Sequence, residues 1–310
     1  MSNRHPRDAP LLRRWQYAAK PASWPKLLVP FVLGQAIGLT AGQGPSLAAF
    51  AAGLAFTVLD LLFIVFLNDW GDRDVDAIKR RMFPDGCSPK TIPDGILSAR
   101  QLLIAGLACG AAALAVAFAA GLLLDRPWLG PMAVVALGVF VAYTLPPARL
   151  NYRGGGELLE VLGVAVTLPW MQAYLQGGEL LVVGLWVLPG FALFALSSAI
   201  ASGLSDERSD RRGGKTTVVS TFGNALGRRL VEIAMLAGAV VWLVTDAPAW
   251  WITTVPAVIV LFETGWLITL SREAVTDAFA AQGRYKARQH EAMWRAALVA
   301  SMFLAWWSLS

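Results

Sequence analysis

The stretch Asn68-Asp-Trp-Gly-Asp-Arg-Asp-Val-Asp76 closes a long apolar run, and Asp206-Glu-Arg-Ser-Asp210 closes another. If each run continues as helix through its acidic end, the carboxylates of each stretch recur at helical intervals and share one face. These carboxylates are Asp69, Asp72, Asp76, Asp206 and Asp210. Asp74 would point to the other side of the first helix as a solvated charge. We therefore predict one acidic site where the two helix ends meet.

Carboxylates held this close repel one another, and hard divalent cations relieve the repulsion. Mg²⁺ keeps several waters and takes one or two carboxylates together with phosphate oxygens. The predicted ligand is therefore a metal-bound diphosphate. A single acidic cluster at a helix end is commonly a solvated cap, but two at equivalent positions favour a site.

The composition predicts a protein that is solvated by lipid. Of the 310 residues, 56% are hydrophobic and 13 are tryptophan. Hydropathy, with turn residues at the breaks, predicts nine spans. They lie at 24–41, 46–68, 98–122, 127–145, 157–175, 180–204, 225–244, 249–270 and 291–309. The expected fold is an all-α membrane protein with nine transmembrane helices around a central cavity. A basic segment at 1–23 precedes a single membrane domain at 24–310.

The distribution of Lys and Arg predicts the orientation. Counting from a cytoplasmic N-terminus, the loops 42–45, 123–126, 176–179 and 245–248 lie outside, and Arg126 is their one basic residue. The positive-inside rule then places the N-terminus and both acidic stretches in the cytoplasm and the C-terminus outside. The membrane is expected to be a bacterial-type inner membrane. The net charge of +5 thus follows topology and does not indicate nucleic acid. No cleavable signal peptide is recognisable.

Two features suggest an internal repeat. Lys90-Thr91 follows the first acidic stretch and Lys215-Thr216 follows the second, four predicted spans later. This spacing predicts two four-helix halves in parallel repeat plus a ninth helix.

Further polar residues fall on the predicted cytoplasmic side. Prolines restrict the loop around Lys90, which suits a lysine held over a diphosphate, and Lys215 matches it. Tyr143 ends the fourth span at the cavity rim, and two arginines and a glutamate follow it: Arg149, Arg153 and Glu157. Glu157 either binds the acceptor or is a favourable charge at a helix N-terminus. His290 is interpreted as a loop residue without a partner.

The chain resembles the UbiA superfamily of membrane prenyltransferases. Its NDxxDxxxD pattern is matched by Asn68, Asp69, Asp72 and Asp76, and its DxxxD pattern by Asp206 and Asp210. The segment Lys90-Thr-Ile-Pro-Asp-Gly95 is similar to the loop that follows the first pattern, and Gly214-Lys215-Thr216 follows the second. Tyr143 and the glycine-rich turn after it also have counterparts. Pro147 stands where many members carry a lysine, with Arg149 as the nearest basic residue.

The resemblance implies a helical bundle that binds a prenyl diphosphate through two Mg²⁺ ions. The five aspartates would hold the metals with help from Asn68. Lys90, Lys215 and Arg149 would hold the diphosphate. The prenyl group would pass, through an allylic cation, to an aromatic quinone precursor. The segments around Tyr143 and Glu157 look more like the dihydroxynaphthoate and homogentisate branches than the 4-hydroxybenzoate branch.

Two other functions stay open at this point. A relative of the same family could ionise the diphosphate and cyclise the prenyl chain without an acceptor. A cation-coupled secondary transporter would also use parallel repeats and carboxylates, although its site would lie near the bilayer midplane. Prenyl chain length, acceptor and oligomeric state do not follow from the sequence.

Overall fold

The computed structural model describes residues 6–310, which are mainly helical. Fourteen α-helices follow in order. They are α1 Leu11–Ala19, α2 Pro25–Leu39, α3 Leu47–Gly71, α4 Arg73–Met82, α5 Ala99–Leu123, α6 Leu129–Thr144, α7 Gly156–Glu160, α8 Leu168–Gly177, α9 Leu188–Leu204, α10 Glu207–Arg212, α11 Val218–Phe222, α12 Asn224–Val244, α13 Trp251–Ser271 and α14 Phe279–Leu309. A π-helix, Val161–Thr167, joins α7 to α8 without a break.

The protein is an integral membrane protein by helix length and composition. Among residues 6–310, six helical segments are long and apolar enough to cross a bilayer. The other three predicted spans correspond to α2 and α6, which are shorter apolar helices, and to α12, which carries three charged residues. Every predicted span therefore overlaps a helix, and the count of nine membrane crossings stays a prediction.

The helices form a closed ring in which α14 packs back onto α2. The most extensive helix contacts are those of α3 with α5 and of α9 with α12, which are corresponding pairs of the two predicted halves. Small residues make the first pair possible, because Gly106 and Gly110 of α5 lie against Leu67 and Phe63 of α3. Small residues allow close approach where lipid supplies no hydrophobic drive for association.

Both acidic stretches leave their helices through a short break. The helix α3 ends at Gly71 and α4 begins at Arg73, so the predicted unbroken helix through the first stretch is wrong in this detail. The amide of Asp72 still donates to the carbonyl of Asn68 at 2.8 Å, and that of Asp76 to Asp72 at 2.8 Å. The second stretch is similar. Asp206 lies between α9 and α10, and the Asp210 amide donates to the Asp206 carbonyl at 2.8 Å. The helices α4 and α10 pack together, which brings the two stretches to one side of the bundle.

Two segments that were predicted to be connections are structured. Most of the connection between the predicted spans 249–270 and 291–309 is helix, because α14 begins at Phe279. Part of the basic N-terminal segment forms α1, which packs on α3 through Trp15 and Phe66, with ring centroids 5.6 Å apart. This end of the chain is therefore part of the wall around the cavity.

Candidate active site

A cavity of about 690 Å³ opens beside the first acidic stretch. One row of α3 residues lines it from the acidic end inward: Asn68, Val65, Ile64, Leu61 and Asp60. At 1.5 Å per residue this row is about 12 Å long. Lysines lie around the wall near Asn68, and Phe140 and Leu168 contribute apolar surface. The cavity is thus polar at one end and largely apolar along its length.

Each of four motif aspartates is paired with a lysine. Lys215 donates to Asp72 at 2.9 Å, and the other pairs are Lys20 with Asp69, Lys90 with Asp76, and Lys79 with Asp206. The side chains of Asp69, Asp72 and Asp76 are all at most 10% exposed. Charges this deeply buried need such compensation. The site is therefore a network of alternating carboxylates and ammonium groups.

The burial of this network shifts its acid–base properties. Burial raises the pKa of Asp210 to about 6, although the Lys215 ammonium opposes the shift. Burial, together with the nearby ammonium groups of Lys90 and Lys286, lowers the pKa of Lys79 to about 7. Both shifts favour the neutral form, as expected when charges are removed from water.

The donor set fits Mg²⁺. The Oδ1 atom of Asn68 is buried and has no hydrogen-bond partner in the described part of the chain. It adjoins carboxylates that supply only hard oxygen ligands. Within residues 6–310 no three His, Cys, Asp or Glu side chains converge closely enough to bind a metal by themselves. Mg²⁺ does not require that, because one or two carboxylates plus phosphate oxygens and water suffice.

The loop after the first stretch is fixed by the N-terminal segment. Asp94 accepts hydrogen bonds from the Tyr17 hydroxyl at 2.6 Å, from Arg80 at 2.7 Å and from the Lys90 amide at 3.0 Å. Thr91 donates to Asp69 at 2.6 Å. Lys90 and Thr91 are therefore held against the motif carboxylates by a preorganised loop.

The remaining predicted site residues lie at different distances from the cavity. Tyr143 lines it and stacks on Phe140, with ring centroids 5.8 Å apart. Arg149 instead donates to the Gly71 carbonyl at 2.7 Å and lies over the Tyr152 ring at 3.7 Å. It caps the end of α3, where backbone carbonyls have no helical partner.

Arg153 and Glu157 connect the two halves of the site. Arg153 is exposed, and its backbone forms an isolated bridge with Thr216. The Glu157 carboxylate accepts a hydrogen bond from the Val218 amide at 2.7 Å, at the N-terminus of α11. The turn before α7 is therefore tied to the loop after the second stretch.

Several site residues were not predicted from the sequence. Lys20 and Lys79 pair with motif aspartates, and three residues of α14 line the cavity: Lys286, His290 and Trp294. His290 is buried in a helix, so its interpretation as a loop residue was wrong. Asp60 also lines the cavity, together with Asn68 of the same helix. The four-residue spacing of the α14 side chains was the signal that could have revealed them.

This helical ring, with its paired acidic segments and long cavity, defines a class of membrane enzymes. A model of the UbiA prenyltransferase family matches residues 27–285. The chain belongs to the UbiA prenyltransferase family, and the resemblance seen in the motifs is confirmed.

Two curated relatives are similar to the chain in sequence, and two solved structures are similar to it in fold. It is 32% identical to homogentisate phytyltransferase of Synechocystis sp. over 170 residues, a match that spans 53% of this chain and about half, 51%, of that relative. It is 26% identical to 1,4-dihydroxy-2-naphthoate octaprenyltransferase of Escherichia coli over 244 residues, 74% of each chain. A UbiA homolog from Archaeoglobus fulgidus bound to DMAPP and Mg²⁺ shares the fold with a TM-score of 0.68 and 17% identity, over 92% of this chain and 99% of that one. The UbiA homolog from Aeropyrum pernix K1 gives a TM-score of 0.61 and 17% identity, over 89% and 98%.

Proposed function

We propose that this protein is a Mg²⁺-dependent prenyltransferase that joins the prenyl group of a prenyl diphosphate to an aromatic quinone precursor. The observation that carries the proposal is the cavity with lysines and acidic segments at one end and apolar walls along its length. Ammonium groups suit a diphosphate, and apolar walls suit a prenyl chain. The relatives named for homogentisate and dihydroxynaphthoate support an aromatic acceptor.

The lysines would bind the diphosphate by exchanging partners. Lys90 and Lys215 are each held by one motif aspartate, and Lys90 also lines the cavity. Phosphate oxygens offer each ammonium an equivalent acceptor, so the exchange does not leave a charge buried alone. Two Mg²⁺ ions, held by Asn68 and the motif aspartates (Asp69, Asp72, Asp76, Asp206 and Asp210), would neutralise the departing diphosphate.

The cavity wall would protect the allylic cation. In the reaction, the bond between the allylic carbon and the diphosphate oxygen breaks. A bond to an acceptor ring carbon forms, and that carbon then loses its proton to the released diphosphate. Ile64, Val65 and Phe140 exclude water that would otherwise quench the cation. The Tyr143 ring faces the same space and can stabilise positive charge through its π face.

Three residues would support substrate binding indirectly, by holding the backbone segments that carry the ligands: Arg149, Arg153 and Glu157. Their partners are backbone groups of α3, of the loop after the second stretch and of α11. We propose that they fix the segments that carry Asp72 and Lys215.

The topology completes the proposal. Nine spans form a single membrane domain at 24–310, with the N-terminus and the active-site loops in the cytoplasm, the C-terminus outside, and the protein in a bacterial-type inner membrane. The Arg126 side chain donates to backbone carbonyls at the opposite end of the bundle, which gives the one basic residue of the outside loops a structural role.

The test is diphosphate release by the purified protein in lipid with Mg²⁺ and geranylgeranyl or longer prenyl diphosphates. Dihydroxynaphthoate, homogentisate and 4-hydroxybenzoate are added separately, and products are identified by mass. Release that depends on one aromatic acid, with a prenylated product, is the expected result. Release without any acceptor, giving a cyclic terpene, would replace the proposal with a cyclase. If folded protein releases no diphosphate under any of these conditions, the secondary transporter becomes the favoured hypothesis.

A matched pair of variants links the reaction to the acidic site. Asp206→Asn removes a motif carboxylate that is one-third exposed and paired with Lys79, so turnover should be lost in protein that still folds. Asp74→Asn removes an exposed carboxylate of the same region and should be active. Equal activity of the two variants would contradict the assignment.

A further inference from the structure

Three side chains of α14 form one polar stripe along the cavity: Lys286, His290 and Trp294. They are four residues apart, so they lie on one face about 6 Å from each other along the helix axis. The rings of His290 and Trp294 are 5.5 Å apart. The acidic motifs do not involve this stripe.

Each residue of the stripe has one polar atom without a hydrogen-bond partner in the described part of the chain. Within residues 6–310, the Lys286 ammonium forms no hydrogen bond or ion pair. His290 Nε2 and Trp294 Nε1 are buried and also lack a hydrogen-bond partner. A buried polar group without a partner costs about 1–3 kcal/mol. Two such atoms beside an unpaired, half-buried ammonium on one cavity face indicate that a ligand supplies the partners.

Lys286 differs in this respect from the other lysines of the cavity. Lys20 pairs with Asp69, Lys90 pairs with Asp76, and Lys26 pairs with Glu160 at 2.8 Å. Glu160 also lines the cavity, but its carboxylate is already paired with Lys26. The ammonium of Lys286 is therefore available to an anion from outside the protein.

We propose that the stripe binds the acceptor, and that the acceptor is an aromatic hydroxy acid. Its carboxylate pairs with Lys286, a ring hydroxyl hydrogen-bonds to His290, and the ring packs on the Trp294 indole. The inference rests on the proposed function and adds to it which wall of the cavity recognises the acceptor and by which groups. The lysines of the motif network would bind the diphosphate.

The chemistry predicts the size of the effect. A charge-assisted hydrogen bond contributes about 1.5–3 kcal/mol, which is about 10- to 100-fold in affinity at about 1.4 kcal/mol per tenfold change. Lys286→Met keeps the length of the side chain and removes the charge. It should weaken binding of 1,4-dihydroxy-2-naphthoate by this factor and leave binding of 1,4-dihydroxynaphthalene, which lacks the carboxylate, unchanged.

The experiment measures equilibrium binding of both compounds to protein in lipid nanodiscs, through quenching of tryptophan fluorescence. Steady-state kinetics with a prenyl diphosphate accompany it. Wild-type protein should prefer the naphthoate, Lys286→Met should lose the preference, and Lys286→Arg should restore most of it. Arg284→Met is the matched control, because Arg284 is an exposed cation of the same helix that pairs with Glu273 outside the cavity.

The outcomes separate the inference from the proposed function. If Lys286→Met keeps the preference, or raises KM for the prenyl diphosphate instead of the acceptor, the lysine belongs to another subsite and the inference is overturned alone. A uniform loss of affinity for both compounds would assign Lys286 a structural role and would also overturn it. If wild-type protein neither binds nor prenylates any aromatic acid, the proposed function fails as well.

Discussion

Removal of the Asp72 charge should destabilise the protein as well as inactivate it. The sequence alone predicts little loss of stability from such a change, because motif carboxylates at a helix end would be exposed. In the structure the Asp72 side chain is 9% exposed and accepts hydrogen bonds from Lys215 at 2.9 Å and Asn151 at 3.4 Å. Asp72→Asn keeps the shape but leaves the Lys215 ammonium, 12% exposed, without its main partner.

The expected cost is about 3 kcal/mol. Breaking a buried ion pair from one side costs about 3–5 kcal/mol. The lower end applies here, because the Tyr152 ring lies 5.5 Å from the Lys215 ammonium and Asp210 is a nearby second carboxylate. Lys215→Met alone should cost a similar amount. The double variant should be about 2 kcal/mol more stable than the sum of the two single changes predicts, because neither charge is then left alone.

The assay is the free energy of unfolding in mixed micelles, titrated with a denaturing detergent. Asp74→Asn is the control, since Asp74 is exposed only two residues further along the chain and its removal should change stability by at most about 0.5 kcal/mol. Additive costs in the double variant, within about 0.5 kcal/mol, would show that Asp72 and Lys215 do not interact in the folded protein. Full prenyl transfer by Asp72→Asn would refute its place in the site.

Three further predictions concern other parts of the bundle. Tyr17→Phe removes the 2.6 Å hydrogen bond to Asp94 and should raise KM for the prenyl diphosphate severalfold with little change in kcat, measured by steady-state kinetics; an unchanged KM would show that the loop does not depend on α1. Gly190→Ala places a Cβ against the Trp242 indole of α12 and should lower the free energy of unfolding by about 1–3 kcal/mol. Gly138→Ala places a Cβ in open space and should leave the free energy of unfolding unchanged. Asp60→Leu replaces a buried carboxyl whose Oδ1 has no partner in the described residues and should raise the thermal midpoint; a lower midpoint would show that the carboxyl is satisfied.

The sequence predicted the helices well because the bilayer imposes a strong pattern. Long apolar runs interrupted by Gly, Pro and charged residues located every helix that packs in the ring. The predicted clustering of the two acidic stretches agrees with the contact between α4 and α10. The exposure of Asp74 agreed with simple helical spacing.

The partners of the acidic residues were not predictable in the same way. Lys79 pairs with Asp206 across 127 residues, and Lys215 with Asp72 across 143. Such pairs depend on which helices are neighbours, and a basic residue near the membrane carries the same sequence signal whether it sets topology or binds an aspartate. Arg149 illustrates the difficulty, because its role follows from the end of α3 at Gly71, which the sequence pattern extends further.

The lysine–aspartate pairs have a consequence for the order of binding. A cation alone must compete with an ammonium for each carboxylate, and a diphosphate alone must compete with a carboxylate for each ammonium. When both bind together, the carboxylates go to the cation and the ammonium groups to the diphosphate, so each ligand removes the competitor of the other. Such reciprocal competition is positive coupling, and it must be equal in both directions. We therefore expect the apparent affinity for Mg²⁺ to rise with prenyl diphosphate concentration, and the protein to discriminate against either ligand in isolation.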